Sequence, residues 1–171
     1  IKTFVTLSPV PGFTNWLQSI DMPALLDTKG VQLLSPEHKS SVESFIEKFF
    51  THKAELEAKQ ISDEEFVEAV LEQLNSEGSY LKSAMLKLCA HYLVMVRQGR
   101  LATDPVARFH IGNGASLHQL NWKADLSLSG LKQSAGIMVN YLYDRNSIEF
   151  NHDDYFDKQK IAVSKGVRKM L

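Results

Sequence analysis

One cysteine, Cys89, stands in a chain of 171 residues, so neither an internal disulfide framework nor a multi-thiolate metal site is available. That scarcity suits a reducing compartment. The thiol sits in an apolar stretch and reads as a small buried hydrophobe rather than a nucleophile. Charge of one sign is lacking too: 19 Lys and Arg against 20 Asp and Glu leave a formal net charge of −1. Without a broad basic field there is little to hold a nucleic-acid backbone, and no nucleic-acid partner is expected. The longest apolar run, residues 81–96, is interrupted by Lys82, Lys87 and His91 and is too short to span a bilayer. No membrane partner is expected. Short catalytic motifs are also missing. The chain has no Gly-x-Gly-x-x-Gly, Walker loop, His-Glu-x-x-His or Cys-x-x-Cys, and no serine lies in a Gly-x-Ser-x-Gly elbow. The six histidines are scattered without metal-ligand spacing, so no metal is expected.

What is present is a globular composition, 44% hydrophobic and 23% charged, long enough for one domain with a sizeable core. The chain opens on Ile1 rather than Met and is read as a fragment. Residues 1–7, rich in β-branched and apolar side chains, predict a buried strand that stops at Ser8-Pro-Val-Pro-Gly12, because prolines cannot donate ladder hydrogen bonds. Ser8 is therefore expected just past a strand end, with a short helix or turn over residues 13–20. Residues 35–98 turn helical. Ser35 with Pro36 is a cap followed by a first-turn proline, and Val42, Phe45, Ile46 and Phe49 recur at helical steps. Ser62-Asp-Glu-Glu65 is a capping box ahead of Phe66, Val67, Val70, Leu71 and Leu74. A third helix, residues 79–97, puts Leu81, Met85, Leu88 and Tyr92 on one face and is expected at the centre of the helical layer.

Beyond Gly99 the texture changes. Asp104-Pro105 opens a short helix that reaches His110, and Gly112-Asn-Gly-Ala115 is a turn. Residues 116–122 predict a strand and residues 128–134 a helix. Residues 137–143 predict a strand with Ile137, Val139, Tyr141 and Tyr143 on one face. Helices are expected from Ser147 and after Ser164. The residues in chemically unusual places are Ser8 beside its proline-bracketed turn, His110 at a helix end, and Asn121, Asn140, Tyr141 and Tyr143 inside strand-like runs. A turn serine, a satisfied core histidine and packed tyrosines account for the same pattern.

The segment Leu7-Ser-Pro-Val-Pro-Gly-Phe-Thr-Asn-Trp-Leu17 resembles the serine loop of malonyl-CoA decarboxylases, and Asp104-Pro-Val-Ala-Arg-Phe-His-Ile-Gly-Asn-Gly-Ala115 resembles their histidine motif. The likeness continues through Leu117-His-Gln-Leu-Asn-Trp-Lys-Ala-Asp125, Gly130-Leu-Lys-Gln-Ser-Ala-Gly-Ile-Met-Val-Asn-Tyr-Leu-Tyr143, Asn151-His152 and Tyr155. The resemblance implies an α+β fold: part of an acetyltransferase-like sheet flanked by helices, with residues 35–100 as a helical insertion and residues 1–34 and 101–171 as the active-site portion of one catalytic domain. It implies malonyl-CoA as substrate, acetyl-CoA and carbon dioxide as products, no cofactor, and a homotetramer. It also implies Ser8 and His110 as catalytic residues and Tyr143 as a residue near the site. The family's pyrophosphate-binding turn precedes the serine strand and is expected upstream of Ile1.

Decarboxylation of a malonyl thioester leaves an electron pair that the thioester carbonyl accepts as an enolate, so the substrate supplies its own electron sink. A histidine whose reference pKa is about 6.5 can return a proton to the α-carbon. His110 is the expected donor, and Ser8 is expected to bond the malonyl group. Asn113 and the Gly114 amide are candidates for positioning the substrate or the His110 loop, with a purely structural turn as the alternative. Tyr143 would donate to the substrate or orient His110, or simply pack. The rival readings are an acyl-CoA acyltransferase, a non-catalytic helical interaction module and a serine hydrolase. The expected compartment is a bacterial cytoplasm, with the mitochondrial matrix as the alternative.

Overall fold

A computed structural model describes residues 2–21, 34–76 and 78–171. Ile1, at the head of the expected first strand, and residues 22–33 of the expected active-site portion lie outside the described residues. The first strand, β1 (Thr3–Pro9), is followed by helix α1 (Phe13–Ser19). Three long helices come next: α2 (Pro36–Glu57), α3 (Asp63–Ser76) and α4 (Gly78–Met95). A two-residue hairpin, β2 (Arg97–Gln98) and β3 (Leu101–Ala102), leads into α5 (Pro105–Gly112). Then come β4 (Ser116–Asn121), α6 (Leu128–Ser134), β5 (Met138–Asp144), α7 (Ile148–Lys158) and the single turn α8 (Lys165–Arg168).

Local chemistry starts the helices where the caps predict. Ser35 accepts the His38 N–H at the head of α2. At α3 the capping box closes in both directions: Glu65 N–H donates to Ser62 Oγ at 3.1 Å, and Ser62 N–H donates to Glu65 Oε2 at 2.7 Å. Both pairings satisfy amides that a helix start leaves free. α4 packs against α2 and α3, and its Leu81, Met85 and Leu88 are fully buried. It is the centre of the helical layer, and the buried Phe45, Phe49 and Phe66 rings meet one another, Phe45 stacked on Phe49 at 5.4 Å and Phe66 edge-on to Phe49 at 5.8 Å.

The architecture is α+β: helices flank a three-stranded antiparallel sheet in the order β1-β5-β4. One parallel bridge joins Leu117 to Val163 near the C-terminal turn. β5 is central and alternates as expected, with Val139 and Tyr141 fully buried and Tyr143 at 9% exposure.

Two expectations about β1 fail. The strand is not buried, since Phe4, Val5 and Leu7 are 54%, 51% and 57% exposed. Among the described residues it is an edge strand paired on one side only, and apolar composition does not distinguish an edge from a centre. Nor does the strand end before Ser8: Ser8 pairs in register with Val139 and Pro9 with Met138. An edge strand tolerates proline because its outward side needs no donor. The sequence pattern does not predict the hairpin at residues 97–102, and α4 stops at Met95, short of the expected Arg97. Gly99 takes φ +63° in its turn, and the hairpin's Arg97 and Arg100 donate to carbonyls of Gln159, Phe156 and Asp157 at the end of α7. Cations there complement the free carbonyls and the negative end of the helix dipole.

Candidate active site

Side chains alternate along a strand, so Phe4, Thr6 and Ser8 share one face of β1. Pairing with β5 sets them opposite Tyr143, Tyr141 and Val139, in that order. α5 lies over this face. Asp104 caps it, Pro105 fills its first position, and His110 projects from its last turn.

The result is an unbroken polar chain. Thr6 Oγ1 lies 3.1 Å from Ser8 Oγ, Ser8 Oγ lies 3.2 Å from His110 Nε2, and His110 Nδ1 lies 2.6 Å from Tyr143 Oη. Aromatic rings hold it from both sides. Tyr141 stacks on the imidazole with centroids 4.5 Å apart and an interplanar angle of 20°, and Phe4 stacks on Tyr143 at 4.6 Å and 8°. Burial lowers the His110 pKa below its usual value and raises that of Tyr143. The π face of Tyr141 beneath the ring favours the cation and opposes part of that shift.

Counting protons shows what the chain can do. A neutral imidazole donates through one nitrogen and accepts through the other, so the hydrogen bonds run in one direction. A protonated ring donates to both Ser8 Oγ and Tyr143 Oη. Both hydroxyl protons are then released to point at a bound group. Protonation of His110 therefore converts Ser8 and Tyr143 into two donors suited to an anion or a developing oxyanion.

Ser8, His110 and Tyr143 thus meet, whereas Asn113 and Gly114 stand in the turn that follows α5. Asn113 is exposed, and its N–H donates to the Phe109 and His110 carbonyls. Gly114 takes φ +88°. Its N–H donates to Ile111 O at 3.0 Å and its carbonyl accepts from Asn151 Nδ2 at 3.1 Å. A Cβ on Gly114 would stand 2.3 Å from Ile148 O. The Gly114 amide is thus already engaged inside the turn.

Sequence reasoning misses one contributor, Thr6, and gives no role at the site to two residues it singles out, Tyr141 and Asp104. Thr6 is two positions from Ser8, and strand alternation alone places it on the same face once Ser8 belongs to the strand. Tyr141 follows from the alternation that marks Tyr143. Its hydroxyl is buried with no hydrogen-bond partner. Asp104 is legible as a helix cap, but its second oxygen reaches Gly12 N–H at 3.3 Å, and nothing local announces that contact.

Elsewhere, a cavity of about 400 Å³ is lined by Asp63, Glu64, Val67, Glu68 and Leu128. Its three carboxylates disfavour a phosphate-bearing ligand. No group of His, Cys, Asp and Glu arranged to hold a metal occurs among the described residues. No helix among them is long and apolar enough to cross a membrane.

The model of a family described as "Malonyl-CoA decarboxylase C-terminal domain" matches residues 1–171. The mitochondrial malonyl-CoA decarboxylase of Anser anser anser is 34% identical over 175 residues, covering 98% of this chain and 32% of that protein. That of Rattus norvegicus is 32% identical over 180 residues, covering 100% of this chain and 33% of that protein. Among solved structures, the malonyl-CoA decarboxylase of Rhodopseudomonas palustris superposes with a TM-score of 0.71 at 34% identity, covering 99% of this chain and 33% of that one. The enzyme of Cupriavidus metallidurans gives a TM-score of 0.71 at 32% identity, covering 100% of this chain and 39% of that one. The chain spans about a third of the length of the curated relatives it matches.

Proposed function

From the premise that this chain belongs to the malonyl-CoA decarboxylase family, we propose that it carries the acid and hydroxyl groups of an enzyme that converts malonyl-CoA to acetyl-CoA and carbon dioxide. The observation that supports this reading best is the chain Ser8–His110–Tyr143 on a single sheet face, with an imidazole at its centre and a hydroxyl at each end.

Chemistry assigns the roles. The bond between the α-carbon and the carboxylate breaks, carbon dioxide leaves, and the electron pair passes into the thioester as an enolate. Once carbon dioxide has left, the Nε2–H of protonated His110 turns from Ser8 Oγ to the α-carbon and gives up its proton there, and the ring regains one from solvent. One proton is consumed per turnover. Ser8 and Tyr143, turned outward by the imidazolium, bond the malonyl carboxylate and the thioester oxygen. Donors preorganised at such an oxyanion are commonly worth about 3–4 kcal/mol each. A placed acid adds roughly a hundredfold to ten-thousandfold in rate. The thioester itself accepts the electrons, so the scheme draws on no cofactor. An acyl-serine intermediate is not needed. Asn113 and Gly114 shape the turn that holds the His110 helix.

The same reading makes the complete protein a carboxy-lyase and a homotetramer, with an acetyltransferase-like catalytic domain. Its place is a reducing compartment, either a bacterial cytoplasm or the mitochondrial matrix, and its named relatives are mitochondrial. Mass analysis of products from malonyl-CoA and the full-length protein tests the activity. Acetyl-CoA and carbon dioxide in equal amounts are expected. Free coenzyme A with malonate would instead mean a hydrolase, and intact malonyl-CoA would end the proposal.

A further inference from the structure

Ser8 and His110 reach the site on separate supports, one by strand pairing and the other on the eight-residue helix α5. A short helix is easily displaced, and a shift of about 1 Å at reacting groups can cost a hundredfold in rate. Something must hold the two supports together.

Asp104 touches both. It is fully buried at 0% exposure. Its Oδ1 accepts the N–H groups of Val106 at 3.0 Å and Ala107 at 3.1 Å, capping the helix that carries His110. An ordinary N-cap leaves its second oxygen in water. Here Oδ2 points inward and accepts Gly12 N–H at 3.3 Å, in the turn four residues beyond Ser8, and the Tyr92 hydroxyl of α4 at 3.4 Å. The approach is close enough that a Cβ on Gly12 would lie 2.3 Å from Tyr92 Oη, so glycine provides space at that position rather than an unusual backbone angle. No Lys, Arg or His among the described residues forms an ion pair with Asp104. Four hydrogen-bond donors hold the carboxylate. Burial raises its pKa, and the amides of Ala107, Gly12 and Val106 oppose the rise.

We propose that Asp104 is a positioning residue, the joint that ties the helix of His110 to the turn of Ser8 and so sets the hydroxyl against the imidazole. The inference rests on the reading that Ser8 and His110 perform the decarboxylation. Two substitutions separate the joint from the cap. Asp104→Ser keeps a capping oxygen but is too short, and has no second oxygen, to reach Gly12 and Tyr92. Asp104→Asn keeps the cap and can donate to Tyr92 Oη, but offers Gly12 no acceptor.

In the full-length enzyme, kcat for carbon dioxide release should fall about a hundredfold in Asp104→Ser and by an intermediate amount in Asp104→Asn, with KM within about threefold of wild type. The His110 ring titration, followed by NMR on histidine-labelled protein and assigned with His110→Asn, should move up toward the ordinary value as the contact loosens and water enters. A residue needed only for folding would lower the unfolding midpoint and leave both readouts unchanged. Wild-type kcat together with an unchanged titration in folded Asp104→Ser would overturn the proposal. If that variant fails to fold, the same result in Asp104→Asn would do so. A wild-type enzyme that releases no carbon dioxide would defeat the functional reading alone, since the titration reports the joint without any turnover.

Discussion

The Ser8 hydroxyl lies 3.2 Å from His110 Nε2 although 102 positions separate them in the chain. Among the described residues between them are three long helices and a hairpin, none of which supplies a member of the polar chain. The contact depends on β5. Its pairing with β1 fixes Ser8 opposite Val139, and the same strand presents Tyr141 beneath the imidazole and Tyr143 at its far nitrogen.

Replacing His110 with Asn in the full-length enzyme removes the proposed acid and keeps a polar side chain of similar width. Release of carbon dioxide from malonyl-CoA should fall by about a hundredfold to ten-thousandfold, with coenzyme A affinity nearly unchanged. Ser8→Ala should lose about a hundredfold or more in kcat. Normal turnover in the histidine variant would remove His110 from the mechanism.

Tyr143→Phe keeps the ring stacked on Phe4 and deletes only the hydroxyl 2.6 Å from His110 Nδ1. A hydrogen bond of this kind contributes roughly 0.5–1.5 kcal/mol, and more when the partner is charged. The same hydroxyl is proposed as a donor to the substrate, so steady-state kinetics should show kcat lower by about a hundredfold or more. An unchanged kcat would assign Tyr143 to packing alone.

Burial depresses the His110 pKa below 6.5, so in the free enzyme the protonated donor is the minor form at neutral pH. The kcat/KM profile should therefore fall with rising pH, with a midpoint below 6.5. A malonyl carboxylate beside the ring favours the cation, so the corresponding limb in kcat should lie at higher pH. The sign for stability is opposite. The unfolded chain takes up the proton first as pH falls below 6.5, so this residue's contribution to stability is present above that value and is lost toward the lower folded pKa. A kcat/KM profile that climbs with pH across this window would show that neutral His110 is the working form.

Gly114→Ala should harm the site indirectly. At φ +88° an alanine is strained, and its Cβ would stand 2.3 Å from the Ile148 carbonyl. Strain of this kind costs about 1–3 kcal/mol before the clash is counted. Urea unfolding should show that loss together with reduced turnover, because α5 would shift against α7.

Ser62→Ala serves as the control. It removes the side-chain half of the capping box on α3, at a typical cost of about 1 kcal/mol, far along the chain from Ser8 and His110. The unfolding midpoint should drop and kcat should stay at the wild-type value.

Local features were readable in proportion to how few residues make them. Ser62 and Glu65 bond each other across one helical turn, so their motif names its own partners. Asp104 was readable as a cap for the same reason. The two-residue strands at Arg97–Gln98 and Leu101–Ala102 carry no periodicity, and only their mutual pairing makes them strands. The apolar Phe4, Val5 and Leu7 predict a buried β1, yet exposure depends on how many neighbours a strand has. Ser8 and His110 stand out by their places at a strand end and a helix end, but only family resemblance gives them catalytic roles, since those places fit a turn serine and a core histidine equally well.

The amino-acid order by itself determined the helices, their caps, the alternation of β5 and the family, because each of these is encoded in near neighbours or in long stretches of identity. Tertiary structure alone decided that β1 is paired on one side only among the described residues, that Tyr141 lies beneath the His110 ring, and that one oxygen of Asp104 reaches back to Gly12. The physical reason is register. A one-residue slip between β1 and β5 would turn Thr6 and Ser8 to the opposite face, and that pairing is fixed by packing across the whole sheet rather than by any residue within it.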